Sequence, residues 1–277
     1  MKKIITIFLF LFTVILQGQP LDSLKNNWKP SLVLSAGINQ IAFSNWVQGG
    51  ENSTAWSYLI DFHYDKTGTA LVFKNQIKVT YGRSKIGSGE YKTTDNDLYI
   101  EDLASYNVGW AVNPFFANAI RTQLAAGYDY STTPAKQIAD FFDPGYVTQS
   151  IGFNYDKYPN IITRLGLGLQ EVFTNNYRKY SDPENLEKTF KFETGIESVT
   201  DFKYKLDDNI EYTGKFRLFS QFKSLDVWDV RFDNMIMAKI NKYISVNFTY
   251  LLIYEKDQTL LTQTKEGLQF GATIAIF

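Results

Sequence analysis

The nine residues "WSYLIDFHY", 56–64, alternate between two kinds of side chain. Aromatic or aliphatic residues occupy every even position, whereas Ser57, Leu59, Asp61 and His63 occupy the odd ones. Successive side chains of a β-strand point to opposite faces, so this stretch predicts a strand with one apolar and one mostly polar face. A helix would instead repeat its apolar residues every three or four positions.

The same alternation recurs along the chain and predicts an all-β fold. Many of the predicted strands reach the 9–11 residues that a tilted strand needs to cross a bilayer. We therefore predict an antiparallel transmembrane β-barrel of about twelve strands. The predicted strands cover residues 31–43, 54–65, 70–83, 96–110, 115–130, 145–156, 161–173, 190–204, 210–222, 227–240, 243–254 and 267–277.

The connections between these strands alternate in length. Short turns such as "KTGT", "VNP", "KYPN", "LDDN" and "NK" alternate with long stretches such as "RSKIGSGEYKTTD", "STTPAKQIADFFDPG", "TNNYRKYSDPENLEK" and "EKDQTLLTQTKE". Outer-membrane barrels have short periplasmic turns and long extracellular loops. The connection at 223–226 is short although its place in the alternation predicts a long one. The alternative is a secreted soluble β-sandwich or lipocalin-like barrel, in which the apolar faces would point inward.

The ends of the chain fit export to the outer membrane of a Gram-negative bacterium. A basic start and the apolar run from Ile4 to Leu16 predict a signal peptide at 1–18, followed by a short periplasmic segment at 19–29 and the barrel at 30–277. Phe277 is the terminal aromatic that barrel-assembly machinery commonly recognises, although it is one position out of step with the apolar frame Leu268–Ile276. Outer-membrane lipids and that machinery are the expected partners.

Composition adds three further expectations. Aromatic residues make up 16% of the chain, which suits strands and the aromatic girdles of membrane barrels. With 28 basic and 29 acidic side chains, the formal charge is −1, so nucleic acid is not an expected partner. The chain has no cysteine, which excludes disulfides and thiolate chemistry.

The polar faces of the predicted strands would line the lumen, and they carry charges of both signs. Mixed charges favour ion-pair ladders that stiffen the barrel, and such ladders are compatible with a narrow conducting path. We therefore expect a small-solute channel or a ligand-binding barrel, with a non-conducting structural or assembly barrel as the alternative. The candidate lumen residues are Lys74, Lys78, Arg121, Arg164, Lys191, Glu193, Glu197, Lys215, Arg217, Asp229, Arg231 and Asp233.

An enzymatic or metal-binding role is not expected. His63, the only histidine, shares a predicted strand face with Asp61 and Asp65. An Asp-x-His pair occurs in omptin-type outer-membrane proteases, but this pair precedes the turn "KTGT" and would lie at the periplasmic end. Outer-membrane phospholipase, which this chain resembles in strand number, needs His-x-Ser, whereas Asp65 stands here. Three residues spaced along one strand do not close around a single ion. No cofactor is expected.

The stretch "NWVQGGENS", 45–53, is the predicted outer mouth between the first two strands. Gly49 and Gly50 permit a positive φ and therefore a tight turn, and Trp46 suits either the lumen entrance or the membrane interface. The loop is a candidate binding site, with a plain turn as the alternative. Its candidate residues are Asn45, Trp46, Gly49, Gly50 and Asn52.

The mouth sequence also carries a family resemblance. The chain resembles an uncharacterised outer-membrane β-barrel family of the Bacteroidota. The signature of that family is an Asn-Trp, a Gly-Gly pair and an Asn-Ser, which in this chain are Asn45–Trp46, Gly49–Gly50 and Asn52–Ser53. Thr122–Gln123 with Gly127–Tyr128, and "FFDPGYV" at 141–147, also resemble that family. The resemblance implies a barrel and leaves the function open, because the family is one of unknown function.

Overall fold

The computed structural model describes residues 28–44, 49–68, 70–241, 243–256 and 258–276. The signal-peptide prediction, Asn45, Trp46 and Phe277 therefore lie outside the described residues. Within them the chain forms fourteen strands and a single 3₁₀ turn at Arg178–Tyr180. The strands are β1 Trp28–Ile41, β2 Ser53–Thr67, β3 Leu71–Ile86, β4 Lys92–Tyr106, β5 Asn113–Thr122, β6 Gly127–Asp129, β7 Lys136–Ala139, β8 Gly145–Tyr155, β9 Ile161–Phe173, β10 Phe190–Lys205, β11 Ile210–Gln221, β12 Asp229–Lys239, β13 Ile244–Tyr254 and β14 Gln263–Ile276.

Twelve of these strands close into an antiparallel barrel, as the alternation predicts. Each barrel strand pairs with its neighbours along the chain, except that β5 pairs with β8 across the insertion that holds β6 and β7. The barrel closes between β1 and β14, where Leu32 pairs with Ile276. Closure leaves no sheet edge unpaired, so every barrel strand hydrogen-bonds on both sides.

The apolar faces point outward and the polar faces point inward. Leu268 on β14 is 75% exposed and Ile151 on β8 is 62% exposed, whereas Arg164 on β9 is only 2% exposed. This polarity is the reverse of a soluble barrel, whose apolar side chains fill the interior. No helix among the described residues is long and apolar enough to span a membrane.

Several predicted strand ends differ from the structure by a few residues, and two predicted segments are wrong. The predicted strand at 115–130 ends at Thr122, and residues 127–129 instead pair with 136–139 in a separate two-stranded sheet. The predicted long loop "RSKIGSGEYKTTD" is mostly strand. β3 continues to Ile86 and β4 begins at Lys92, so only five residues lie between the two strands. Ladder hydrogen bonds join backbone groups, so a hairpin can extend through polar sequence that has no apolar face.

Candidate functional site

The barrel interior contains a cavity of about 210 Å³. Side chains from eight barrel strands and from the β13–β14 connection surround it, and most of them are polar or charged. Seven of the predicted lumen residues line this cavity, namely Arg121, Arg164, Glu197, Lys215, Arg217, Arg231 and Asp233.

One side of the cavity is closed by a ring of four alternating charges. The Arg164 Nη2 atom lies 2.8 Å from Glu101 Oε1 and 3.0 Å from Asp201 Oδ2. Lys215 Nζ completes the ring, since it contacts the Glu101 carboxylate and lies 3.4 Å from Asp201 Oδ1. We call Glu101, Arg164, Asp201 and Lys215 the charge ring.

The charge ring crosses the lumen. Glu101 lies on β4, whereas Lys215 lies on β11, which is five strands away around a barrel of twelve. Their contact therefore joins nearly opposite walls and not neighbouring strands. The sequence predicts ladders of ion pairs along the wall, but this cluster bridges the interior and constricts the path.

Two further cations of the cavity wall are each held by a carboxylate. Arg217 Nε lies 2.7 Å from Glu197 Oε1, and its Nη2 donates to Gln170 Oε1 at 2.9 Å. Arg231 donates two hydrogen bonds to the carboxylate of Asp233, at 2.8 and 3.0 Å. These pairs set the direction of each guanidinium and leave the cavity close to electrically balanced.

Arg121 has a looser carboxylate partner and an aromatic one. Its Nη1 lies 3.8 Å from Asp97 Oδ1, and its guanidinium carbon lies 4.6 Å from the centre of the Tyr99 ring. A cation over an aromatic face is stabilised by the ring quadrupole. The buried Arg121 Nη1 has no hydrogen-bond partner within the described structure, so the Arg121 guanidinium is less completely paired than those of Arg217 and Arg231.

Side chains of β4, β5 and β8 pack against one another on the short-turn side of the charge ring. Leu103, Phe115 and Ala117 form a buried apolar cluster there. Nearby, the Ser105 hydroxyl donates to Asn154 Oδ1 at 2.8 Å. We call the cavity the vestibule; on this side it is bounded by the charge ring and by this packing.

The other predicted lumen residues lie away from the cavity. Lys191 and Glu193 form an ion pair of 2.6 Å near the long-loop end of β10. Asp229 lines a separate recess of about 130 Å³ together with Lys223 and Lys256. Lys74 and Lys78 lie on β3, where Lys78 pairs in register with Tyr99, and neither lysine lines the cavity.

Glu255, which the sequence does not single out, lines the vestibule immediately after β13. Its carboxylate accepts a hydrogen bond from Gln258. Burial raises the pKa of the Glu255 carboxyl, and the nearby cations Arg217, Lys191 and Arg121 offset only part of that effect. Alternation along β13 places Glu255 inward with Ile253, but its position at the strand end obscures that signal.

Two segments of the long loops are held by carboxylates that accept backbone hydrogen bonds. Asp143, within "FFDPGYV", accepts from the backbone N–H groups of Asn175 and Asn176, each at 2.8 Å. Asp182 accepts from those of Glu187 and Lys188 at 3.1 and 3.2 Å. Desolvation opposes ionisation of Asp182, but these bonds prevail and lower the pKa of its carboxyl.

The residues that carry the family resemblance after the mouth meet at one junction. The Thr122 hydroxyl donates to the Pro144 carbonyl at 3.0 Å and accepts from the Phe142 N–H at 2.8 Å. Asn96 holds the neighbouring segment, because its Oδ1 accepts from the N–H of Leu124 at 2.9 Å. These motif residues therefore anchor the insertion between β5 and β8 on the barrel.

The described residues of the mouth loop do not line the cavity. Gly49 and Gly50 have φ of +80° and +121°. Asn52 Oδ1 accepts from the Phe43 N–H at 2.7 Å, and the Asn52 carbonyl accepts from the Gly87 N–H at 2.7 Å. The first bond joins the two ends of the loop, and the second fastens the loop to the β3–β4 hairpin.

Replacing both Gly49 and Gly50 by Val is expected to change solute passage or binding without preventing assembly. A side chain at Gly50 would approach the Phe43 ring, and both positions have a φ that L-residues rarely adopt. The described residues of the loop make none of the ladder bonds that close the barrel, so insertion should persist. Permeation and heat-modifiable gel mobility, compared with the wild type, test this. Unchanged permeation and binding would make the loop a plain turn, and failed assembly would make it structural.

His63 and Asp61 are adjacent, with His63 Nε2 3.2 Å from Asp61 Oδ1. Asp61 also accepts a hydrogen bond from Gln76 Nε2 at 2.8 Å, while Asp65 accepts from the Asn75 backbone N–H. Within the described ranges no three His, Asp or Glu side chains are placed to hold a metal ion. The expectation that the protein is not an enzyme stays a prediction.

The fold and its interior define the chain as a closed, twelve-stranded antiparallel barrel with a constricted, charged lumen. A family model described as "Protein of unknown function (DUF3078)" matches residues 38–128, a range that contains the mouth loop and the Thr122–Tyr128 motif. The predicted resemblance to an uncharacterised family is supported to that extent. The Bacteroidota origin and the signature itself stay predictions. No curated protein sequence matches the chain.

Several solved structures align over most of the chain. An outer membrane channel from Pseudomonas putida F1 aligns at 9% identity and a TM-score of 0.39, covering 93% of this chain and 96% of that one. The translocator domain of autotransporter NalP from Neisseria meningitidis aligns at 8% identity and 0.39, covering 91% of each chain. The beta domain of the Bordetella autotransporter BrkA aligns at 11% identity and 0.32, covering 91% and 100%.

Proposed function

We propose that this protein is an outer-membrane β-barrel that spans the bilayer with its twelve-stranded wall. The outward apolar face is bounded by exposed aromatic side chains at both ends, such as Tyr106 and Tyr158 near the short turns and Phe141 and Phe190 near the long loops. Aromatic girdles of this kind lie at the two membrane interfaces of transmembrane barrels. Membrane lipids and the barrel-assembly machinery are the partners that this location implies.

Within that location, we propose that the vestibule admits small polar solutes and that the charge ring gates their passage. The observation that carries this proposal is the contact of Glu101 with both Arg164 and Lys215 across the lumen. Side chains that meet from opposite walls close a path when paired and open it when they separate. The paired cations and carboxylates of the vestibule offer partners to polar solutes of either sign.

Planar-bilayer conductance of the purified, full-length protein tests the gate. The wild type should pass small or infrequent currents in potassium chloride, and Glu101→Ala should give larger or more frequent openings because it removes the carboxylate that joins the walls. Glu211→Ala is the matched control, since Glu211 is also an inward carboxylate but pairs with Lys203, which is 67% exposed. An equal rise in both variants would contradict a gate at the charge ring.

A second candidate is a non-conducting structural or assembly barrel, and the same cross-lumen contact favours it. If neither the wild type nor Glu101→Ala passes current across a range of salt concentrations, while both show the heat-modifiable mobility of an assembled barrel, the ring stiffens a closed barrel. That outcome would replace the gated-passage proposal.

A further inference from the structure

A row of polar side chains runs across the outer face of four neighbouring strands. Register pairs join its members one after another around the wall from β3 to β8, and all of them share the outward face. The members of this outer polar row are Asn75, Asp102, Asn118 and Gln149.

The outer polar row lies inside the apolar belt and not at its rim. One step toward the long loops, the same strands carry an outward row of apolar residues, and one step toward the short turns they carry another. The first consists of Ile77, Ile100, Ile120 and Val147, and the second of Phe73, Ala104, Phe116 and Ile151. A carboxylate and three carboxamides therefore lie between two apolar rows.

These polar side chains have few hydrogen-bond partners within one copy of the chain. The Asn75 side-chain amide donates to the Tyr64 carbonyl at 2.6 Å. Within the described structure, the buried Asn118 Oδ1 atom has no hydrogen-bond partner and the Asp102 carboxylate accepts no hydrogen bond. Polar groups that face hydrocarbon are costly and normally pair with one another. The row thus has hydrogen-bonding capacity that calls for a partner inside the membrane.

We propose that the outer polar row is the contact surface between two copies of this chain, which form a two-fold dimer in the membrane. This inference rests on the membrane location proposed above. Two copies that are inserted in the same direction can be related only by an axis along the membrane normal. Such an axis can lie between the two barrels, facing the boundary of β4 and β5 in each copy. It then brings Asp102 of each copy against the partner's Asn118.

The chemistry of that contact is complementary in both directions. A carboxylate only accepts hydrogen bonds, whereas the carboxamide of Asn118 has two N–H donors. Two-fold symmetry repeats the pair, because in an isologous interface residue i meets j and j meets i. Barrel strands are tilted, so the outer polar rows of the two copies would cross at an angle. The two copies would therefore touch only at the centre of the rows, around Asp102 and Asn118. Ile100 and Ile120 would then pack beside the axis.

Single-cysteine cross-linking in vesicles tests the dimer, because the chain has no cysteine of its own. We expect Ile120→Cys, in the full-length protein reconstituted in phosphatidylcholine vesicles, to give a disulfide-linked dimer on oxidation. Ile236→Cys is the matched control, since Ile236 also faces outward at mid-strand but lies on β12, on the far side of the barrel. Equal cross-linking at both positions would overturn the proposed surface.

A second pair of variants tests the polar row itself. Adding Asp102→Leu to Ile120→Cys should abolish the cross-linked dimer while the barrel still inserts, since it makes the outer face more apolar. Adding Asp102→Asn should retain the dimer, because a carboxamide still pairs with Asn118. A dimer that survives Asp102→Leu would overturn the role of the row.

Heat-modifiable mobility and protection from protease in the vesicles separate this inference from the location on which it rests. An inserted barrel that stays monomeric overturns the dimer alone and leaves the row to lipid or to another membrane protein. A chain that does not insert overturns both.

Discussion

Glu101→Ala is expected to lower the free energy of unfolding by about 3–5 kcal/mol, the usual cost of removing one partner from a buried ion pair. The Arg164 side chain is 3% exposed and that of Lys215 is 19% exposed. Without Glu101 these two cations share the single carboxylate of Asp201. Denaturant titration of the barrel in lipid vesicles, followed by tryptophan fluorescence, measures the change.

The charge ring also predicts that a second substitution restores stability. Glu101→Ala combined with Lys215→Ala leaves Arg164 and Asp201 as a neutral pair, so the double variant should be more stable than Glu101→Ala alone. Non-additivity of this kind is expected for residues in one ion-pair network. Glu211→Ala should cost about 1 kcal/mol or less, as is typical of an exposed pair. Strictly additive losses would show that the four charges do not act as a ring.

Alternation in the sequence is enough to assign side chains to the inner and outer faces. Lys215 and Arg217 lie inward and Phe216 and Leu218 outward, because the two faces of a strand differ at every second residue whatever its neighbours are. The twelve-stranded barrel follows from this local signal and from closure. The same logic places most of the predicted charges in the interior.

Contacts across the lumen could not be predicted in this way. Glu101 and Lys215 are 114 residues apart in the chain, and whether they meet depends on the tilt and stagger of the whole barrel, which no local pattern records. Glu101 is also obscured by its neighbour Asp102, since adjacent carboxylates break the alternation. Glu101 points inward and belongs to the charge ring, whereas Asp102 points outward and belongs to the outer polar row. Only the strand register distinguishes the two.

Phe248→Lys is expected to destabilise the barrel by roughly 2–4 kcal/mol, the cost of a lysine on the lipid face near the bilayer midplane. Phe248 lies in the middle of β13 and faces outward, paired in register with Ile236 and Leu268. The matched control is Thr249→Lys on the next residue of the same strand, which faces the lumen. A lysine there is hydrated, so the loss should be much smaller.

This comparison tests the membrane location more directly than it tests any single contact. If the barrel were surrounded by water, a lysine at Phe248 would be hydrated, and the two variants would differ little in their free energy of unfolding. In a bilayer only the outward substitution meets hydrocarbon, so the difference between Phe248→Lys and Thr249→Lys reports the medium outside the wall. Denaturant titration in vesicles of two thicknesses extends the test, because a deeper burial of residue 248 should increase the penalty for Phe248→Lys and leave that for Thr249→Lys unchanged.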